Sequence, residues 1–286
     1  MRIEKTNELN EKQTKQINEL ENVCFAFENL QNHAFLSNEI NFDKKFPCFY
    51  LGYEGEKLIS FLTTFVPSKM EAEILAATHP DFRGQGCFHA LLEAAMEEIK
   101  NASIPNILFV VEANSKSGSN VLIHMGLTKI DHSEYRMEYK VLEEKSDISD
   151  ELTLSFEVVT QDNKNFMKEI LKVTFDDTED SDNFIDSVVH SRHRIGFLAF
   201  DQSNVVGSFS LNEEDGDCFL YGVGVLSEYQ GRGYGKQLVY KALMEGAKRS
   251  QTVVLDVDSE NPVAFSLYQS TGFQITFQVD YFSKRV

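Results

Sequence analysis

The residues most suggestive of chemistry in this sequence are Gln230-Gly231-Arg232-Gly233-Tyr234-Gly235-Lys236. Three glycines within five residues strip side chains from around the backbone. From Lys236 onward, Leu238, Val239, Ala242, Leu243 and Ala247 share one face at helical spacing, while Val223-Gly224-Val225 reads as the end of a strand. The first turn of a helix carries unpaired N–H groups and the positive end of the dipole, so an anion can sit there when nothing blocks its approach. Arg232 and Lys236 add positive charge beside the same amides, which makes a phosphate or pyrophosphate the natural guest. Spacing excludes two familiar phosphate holders. A P-loop needs Gly-Lys followed by Ser or Thr, where Gln237 stands, and a dinucleotide turn needs G-x-G-x-x-G, whereas the run is G-x-G-x-G.

Downstream, an apolar strand leads into Asn261-Pro262-Val263-Ala264-Phe265-Ser266-Leu267-Tyr268-Gln269-Ser270-Thr271-Gly272-Phe273. Asn261 suits the cap of a helix begun by Pro262. Taken together the two stretches resemble the GNAT superfamily of N-acetyltransferases. Gln230, Gly233 and Gly235 meet the Q/R-x-x-G-x-G/A pyrophosphate loop, and the second stretch has that family's Asn, Ala, Leu-Tyr and Gly-Phe.

The resemblance implies acetyl-CoA as co-substrate. Residues 230–236 would hold the diphosphate, and Val223, Gly224 and Val225 would pair like a strand with the pantetheine amides, leaving a backbone N–H to polarise the thioester carbonyl. Asn261 would face the cofactor. Tyr268 stands where the family places an acid for the departing sulfur, and a phenol with an ordinary pKa near 10 stays protonated at neutral pH. The implied reaction is acetyl transfer to a primary amine by direct attack in a ternary complex. No Cys or Ser has the neighbours of an acyl-enzyme nucleophile. A non-catalytic acyl-CoA-binding sensor or scaffold is the competing reading. The general base is not named by any motif. Glu213, Glu214, Asp215 and Asp217 form an acidic turn that reads as a solvated hairpin or a proton relay, and His190 and His193 read as surface residues unless they edge the acceptor pocket.

These features must be positioned by elements, and the elements come twice. An offset of 147 pairs Arg83 with Gln230, Gly84 with Gly231, Gly86 with Gly233, Leu91 with Leu238 and Ala95 with Ala242. Each half opens with a polar helix (residues 11–28 and 163–175). Strand pairs follow, at 49–53 with 57–65 and at 196–201 with 205–211. Each half ends with a further strand, at 107–111 and 253–257, and a short helix closed by Gly126 or Gly272. A charged stretch without apolar periodicity over residues 143–151 reads as a linker. The expectation is an α/β protein with a mixed sheet in each of two tandem GNAT-like domains, a degenerate one over residues 1–145 and a catalytic one over 152–286. The first copy is degenerate because Phe88 replaces the last small residue of its loop, and the place of Tyr268 falls on Leu122 or, with a different gap, His124.

Composition narrows the partners. The chain of 286 residues has 27 basic against 45 acidic side chains, a net charge of −18. Such a surface repels phosphate backbones and anionic lipid headgroups, so neither nucleic acid nor a membrane is expected as partner, and a small cationic amine or basic peptide suits as acceptor. No stretch approaches the roughly 20 apolar residues of a bilayer span, and the N-terminus lacks the apolar core of a secretory signal, giving the expectation of a cytoplasmic monomer or homodimer. Cys24, Cys48, Cys87 and Cys218 are scattered, without zinc-type or disulfide spacing, and read as buried thiols with no metal site.

Overall fold

A computed structural model describes residues 1–141, 152–175, 181–214 and 216–286. The chain opens with β1 (Arg2–Thr6), α1 (Glu11–Glu28), β2 (Phe49–Glu54), β3 (Lys57–Phe65), β4 (Glu71–Thr78), α2 (Cys87–Asn101), β5 (Asn106–Glu112), α3 (Lys116–His124) and β6 (Thr128–Lys140). It continues with β7 (Ser155–Val158), α4 (Lys164–Phe175), α5 (Ser181–His190), β8 (Arg194–Asp201), β9 (Asn204–Glu214), β10 (Asp217–Val225), α6 (Tyr234–Gly246), β11 (Thr252–Asp258), α7 (Pro262–Ser270) and β12 (Gln274–Arg285).

Two compact units result. Unit 1 comprises Met1–Ser133 with Phe277–Val286, and unit 2 comprises Glu134–Thr276. The strand order in unit 1 is β1-β2-β3-β4-β5-β12, and in unit 2 it is β6-β11-β10-β9-β8-β7. Each order has one parallel contact, β4 with β5 and β10 with β11. The other contacts are antiparallel. The units therefore share one topology and differ from the contiguous segments 1–145 and 152–286. The last strand of the chain completes the sheet of unit 1, running from Val279↔Glu112 to Arg285↔Asn106. The later part of β6 completes unit 2, from Glu134↔Asp258 to Lys140↔Thr252. The expected linker at 143–151 lies outside the described residues.

The helical periodicities account for the packing. In unit 1, Leu91, Leu92, Ala95 and Ile99 of α2 are buried against Tyr50, Leu62, Ile74 and Phe109 on one face. Ile17, Leu20 and Cys24 of α1 cover Leu51, Leu58 and Phe61 on the other. In unit 2, Leu238, Val239, Ala242 and Leu243 of α6 pack on Phe209, Leu211, Cys218 and Leu220. Met167 and Ile170 of α4 and Ile185 and Val188 of α5 gather around Leu198. Alternation along β10 thus sends Cys218 and Leu220 to the α6 face. All four cysteines are free and buried. No helix among the described residues is long and apolar enough to cross a membrane.

Candidate active site

β10 and β11 begin as neighbours and then part. Their parallel register runs through Cys218↔Val253 and Phe219↔Val254 and no further. Beyond it, Leu220 to Val225 keep β9 on one side only, with a register shift between Tyr221 and Gly224 where Gly222 takes φ +58°. At about 3.3 Å per residue this leaves roughly 20 Å of unpaired strand edge. Gly224 lies under α4, where an added Cβ would come 3.0 Å from Oγ1 of Thr174.

The chain leaves β10 through a 3-10 turn, and Gln230 turns its side-chain amide back to donate to the Val225 carbonyl at 2.9 Å. Gln230 therefore fixes the strand end from which the glycine loop springs. Gly231 and Gly233 adopt φ +74° and +80°, where other residues are strained, and a Cβ on either would meet nothing within 4 Å. Gly233 is the N-cap of α6, with no side-chain hydrogen bond to the helix amides. The helix begins at Tyr234, two residues before the start expected at Lys236, because Gly233 already supplies the cap. The result is a set of bare N–H groups facing open space, the local geometry an anion requires.

The side chains of the loop turn aside. Arg232 donates to the Glu228 carbonyl at 3.0 Å and lies 5.2 Å from the Tyr229 ring centre. Lys236 sits 5.0 Å from the Tyr240 ring. Tyr234 donates its hydroxyl to Asp201 Oδ2 at 2.7 Å, and that bond holds the phenol above its ordinary pKa. Gly235 faces α7, since a Cβ there would stand 3.2 Å from Cδ2 of Leu267.

Asn261 caps α7, its Oδ1 accepting from the Ala264 N–H at 3.0 Å. Two turns on, Tyr268 is 8% exposed, its ring edge-on to Phe273 at 5.9 Å. Its hydroxyl makes no hydrogen bond among the described residues. Burial pushes this phenol up to about 12, so it stays a proton donor across the neutral range.

Unit 1 repeats the scaffold. Gly84 and Gly86 take φ +73° and +82°, and Gly86 caps α2 without a side-chain bond. Arg83 Nε donates to the Thr78 carbonyl at 3.1 Å, the same bond to the fifth preceding residue that Gln230 makes. The Q/R position is thus a strand-end anchor in both units, a role the sequence pattern did not disclose. α3 matches α7 at an offset of 146, from the caps Ser115 and Asn261 to the turns at Gly126 and Gly272. The Leu127 and Phe273 amides bond the carbonyls of Leu122 and Tyr268 respectively. Leu122, not His124, therefore occupies the Tyr268 position.

The acidic turn is remote from the β10–β11 gap. It precedes Asp217, at the opposite end of β10 from Val225, roughly 25 Å away at the strand rise. Glu213 accepts from Arg249 at 2.5 Å, an ion pair and not a relay. Asp215 lies outside the described residues. His190 ends α5 and His193 precedes Arg194, whose partner is Asn212 at the same remote end. Glu213, Asp217 and His193 therefore stand at the end of the sheet away from Val225. Among the described residues no group of three His, Cys, Asp or Glu side chains is placed to hold a metal ion.

A six-strand mixed sheet that opens at its parallel pair, with a bare glycine cap below the opening, defines the class of the acyl-CoA N-acyltransferase fold. The chain matches the acetyltransferase (GNAT) family over residues 14–119 and 160–273, once in each half, and belongs to it. It is similar to a GCN5-related N-acetyltransferase from Sphaerobacter thermophilus, with a TM-score of 0.74 at 16% identity over 94% of this chain and 91% of the other. It is also similar to a tandem GNAT protein from the clavulanic acid biosynthesis pathway, with a TM-score of 0.72 at 14% identity over 99% and 98%. At these identities the likeness is one of fold. The uncharacterised N-acetyltransferase YycN of Bacillus subtilis is 32% identical over 91 residues, covering 29% of this chain and 57% of that protein.

Proposed function

We propose that unit 2 transfers the acetyl group of acetyl-CoA to the nitrogen of a primary amine, by direct attack in a ternary complex. The observation that carries this reading is the uncapped start of α6, where Gly231 and Gly233 leave amides open to a diphosphate beside a strand edge with no partner. The residues present fit the donor. The amides of 230–236 suit the diphosphate, with Arg232 and Lys236 near, and the edge of β10 at Val223, Gly224 and Val225 suits the amide-bearing arm. Acetyl-CoA supplies an acyl group already activated as a thioester.

Tyr268 is the acid. As the amine nitrogen bonds to the acyl carbon and the carbon–sulfur bond breaks, the phenolic proton passes to the sulfur. The proton shed by the nitrogen leaves to solvent, from which the phenolate is restored. With the acidic turn remote, an amine that arrives neutral needs no residue to deprotonate it before attack. The net charge of −18 favours a cationic small amine or a basic peptide among acceptors, by long-range attraction, and such an ammonium gives up one proton to water before its nitrogen attacks.

Calorimetry with acetyl-CoA, paired with a thiol-release assay across a panel of amines, tests the reading. Binding with release for at least one amine is expected. Binding without release for any amine would favour an acyl-CoA sensor or scaffold, and no binding would remove the donor assignment.

A further inference from the structure

The gap between β4 and β5 in unit 1 holds a cavity of about 470 Å³, within the range of small-molecule sites. The two strands pair up to Ile74↔Phe109 and then part. The cavity passes from the α2–α3 side, with Phe88 and Leu122, to the α1 side, with Phe25 and Glu21. Most of its wall is apolar. Its charged side chains are the carboxylates Glu21, Glu28 and Glu112 against one guanidinium, Arg83, with His89 beside them.

The side chains that would flank a diphosphate thioester are altered or engaged. Phe88 stands where unit 2 has Gly235, and Leu122 stands where it has Tyr268. Arg83 is spent on Glu28, at 2.8 Å. Glu28 also accepts from the amide and hydroxyl of Ser117 at 2.9 and 2.6 Å. Burial opposes its ionisation, but the Ser117 and Arg83 hydrogen bonds outweigh it and hold the carboxyl below its ordinary value. Glu21 is likewise engaged, by the Ala34 amide at 2.8 Å and by His33.

Glu112 is different. It is 4% exposed, and its Oε2 accepts from the amides of Gln31 and Asn32 at 2.6 and 2.9 Å, while Oε1 has no partner. Its counterpart at the end of β11, Asp258, bonds within its own turn, to the Glu260 amide. A buried carboxylate oxygen without a donor is an unmet demand for one. Val111 packs toward the α2 side, so alternation places Glu112 at the α1 end of the gap, as its bonds to Gln31 and Asn32 require.

From this geometry we infer that the unit 1 cleft binds an apolar primary amine, its ammonium donating to Glu112 Oε1 and its hydrocarbon body lying among Phe25, Ile74, Phe109 and Leu122. The excess of carboxylate over guanidinium on the wall selects a cation, and the apolar remainder selects a hydrocarbon over a polyamine. The inference concerns binding alone, and it stands or falls independently of catalysis in unit 2.

The test is calorimetric titration of the full chain, without acyl donor, using n-octylamine and n-octanol as matched probes. Octylamine should bind at least tenfold more tightly than octanol. Glu112→Gln, which keeps the shape, should bring the amine down to the level of the alcohol. Leu122→Phe, which narrows the cavity, should weaken both. Equal affinity for amine and alcohol in the unaltered chain would overturn the inference, and this comparison needs no variant to fold. Amine binding unmoved by Glu112→Gln or by Leu122→Phe would place the amine elsewhere and overturn it as well.

Discussion

Ending the chain at Thr276 removes the part of β12 that belongs to unit 1, although this segment lies furthest in sequence from the strand it supports. The loss includes the antiparallel ladder from Val279↔Glu112 to Arg285↔Asn106, and the buried side chains of Phe277, Val279, Tyr281 and Phe282. Phe282 packs into the core beneath α2, and the other three cover Leu108, Val110 and Ile130 on the opposite face. At about 1.5–3 kcal/mol for each large apolar side chain, the packing removed is on the order of 6–12 kcal/mol. That is comparable with the whole stability of an ordinary domain, roughly 5–15 kcal/mol. Unit 1 should therefore fail to fold in the shortened chain, while unit 2, whose strands β7 to β11 and the paired part of β6 lie within Glu134–Thr276, should survive. Limited proteolysis with mass mapping reads the difference directly. Rapid cleavage within 1–133, alongside a protected fragment from 134–276, is expected, and a peptide of residues 274–286 added in trans should slow that cleavage. A shortened chain that resists protease throughout and melts at the temperature of the full chain would refute the account of strand exchange.

Tyr268→Phe should lower kcat for acetyl transfer by about a hundredfold or more, the range for loss of a positioned acid, with acetyl-CoA affinity unchanged by calorimetry; unchanged turnover would remove the acid role. Because burial raises the folded pKa of Tyr268 to about 12 from an ordinary 10, its neutral form contributes stability that is complete below pH 10 and lost as pH rises toward 12. Ultraviolet titration of tyrosinate should show one fewer late-ionising phenol in Tyr268→Phe than in the unaltered chain. Gly233→Val forces a β-branched residue into φ +80° and puts methyl groups over the α6 amides; it should abolish acetyl-CoA binding, and retained affinity would mean the diphosphate lies elsewhere. Gln230→Ala deletes the bond to the Val225 carbonyl and should cost about 0.5–1.5 kcal/mol of unit 2 stability, measured by denaturant unfolding.

Periodicity and turn chemistry made most of the elements legible from sequence. The apolar stripes of α2 and α6, the paired glycines and the cap at Asn261 are local signals, and each produced its element within a residue or two. What stayed hidden was non-local. The exchange of β6 and β12 leaves no mark, because a strand that pairs with the neighbouring half carries the same alternation as one that pairs with its own. The side-chain bonds of Arg83 and Gln230 to carbonyls five residues back could have been suspected from the 147-residue offset, since Thr78 and Val225 align too, but the pattern says nothing of direction. The acidic turn reads from sequence as a solvated hairpin or a relay, and the length of β10, which separates Asp217 from Val225, favours the hairpin. Glu112 gave no signal at all, since its partners Gln31 and Asn32 lie some 80 residues earlier in the chain.

The duplication separates what the backbone contributes from what side chains add. Both units hold the same left-handed glycines, the same uncapped helix start and the same parted strands, so the cleft is a property of topology and of two glycines. Among the side chains that diverge are Phe88 against Gly235, Leu122 against Tyr268 and, at the strand end, Glu112 against Asp258. An open loop with a buried phenol suits donor binding and proton transfer, whereas a phenylalanine in the loop and a leucine at the acid position suit an apolar guest that does not react. If that division is right, restoring the first two positions in unit 1, with Phe88→Gly and Leu122→Tyr together, should raise its affinity for acetyl-CoA while lowering that for octylamine. Calorimetry on a Gly233→Val background isolates unit 1, and a double variant that gains no acetyl-CoA binding there would show that the Arg83–Glu28 pair, not the two substitutions, keeps the donor out.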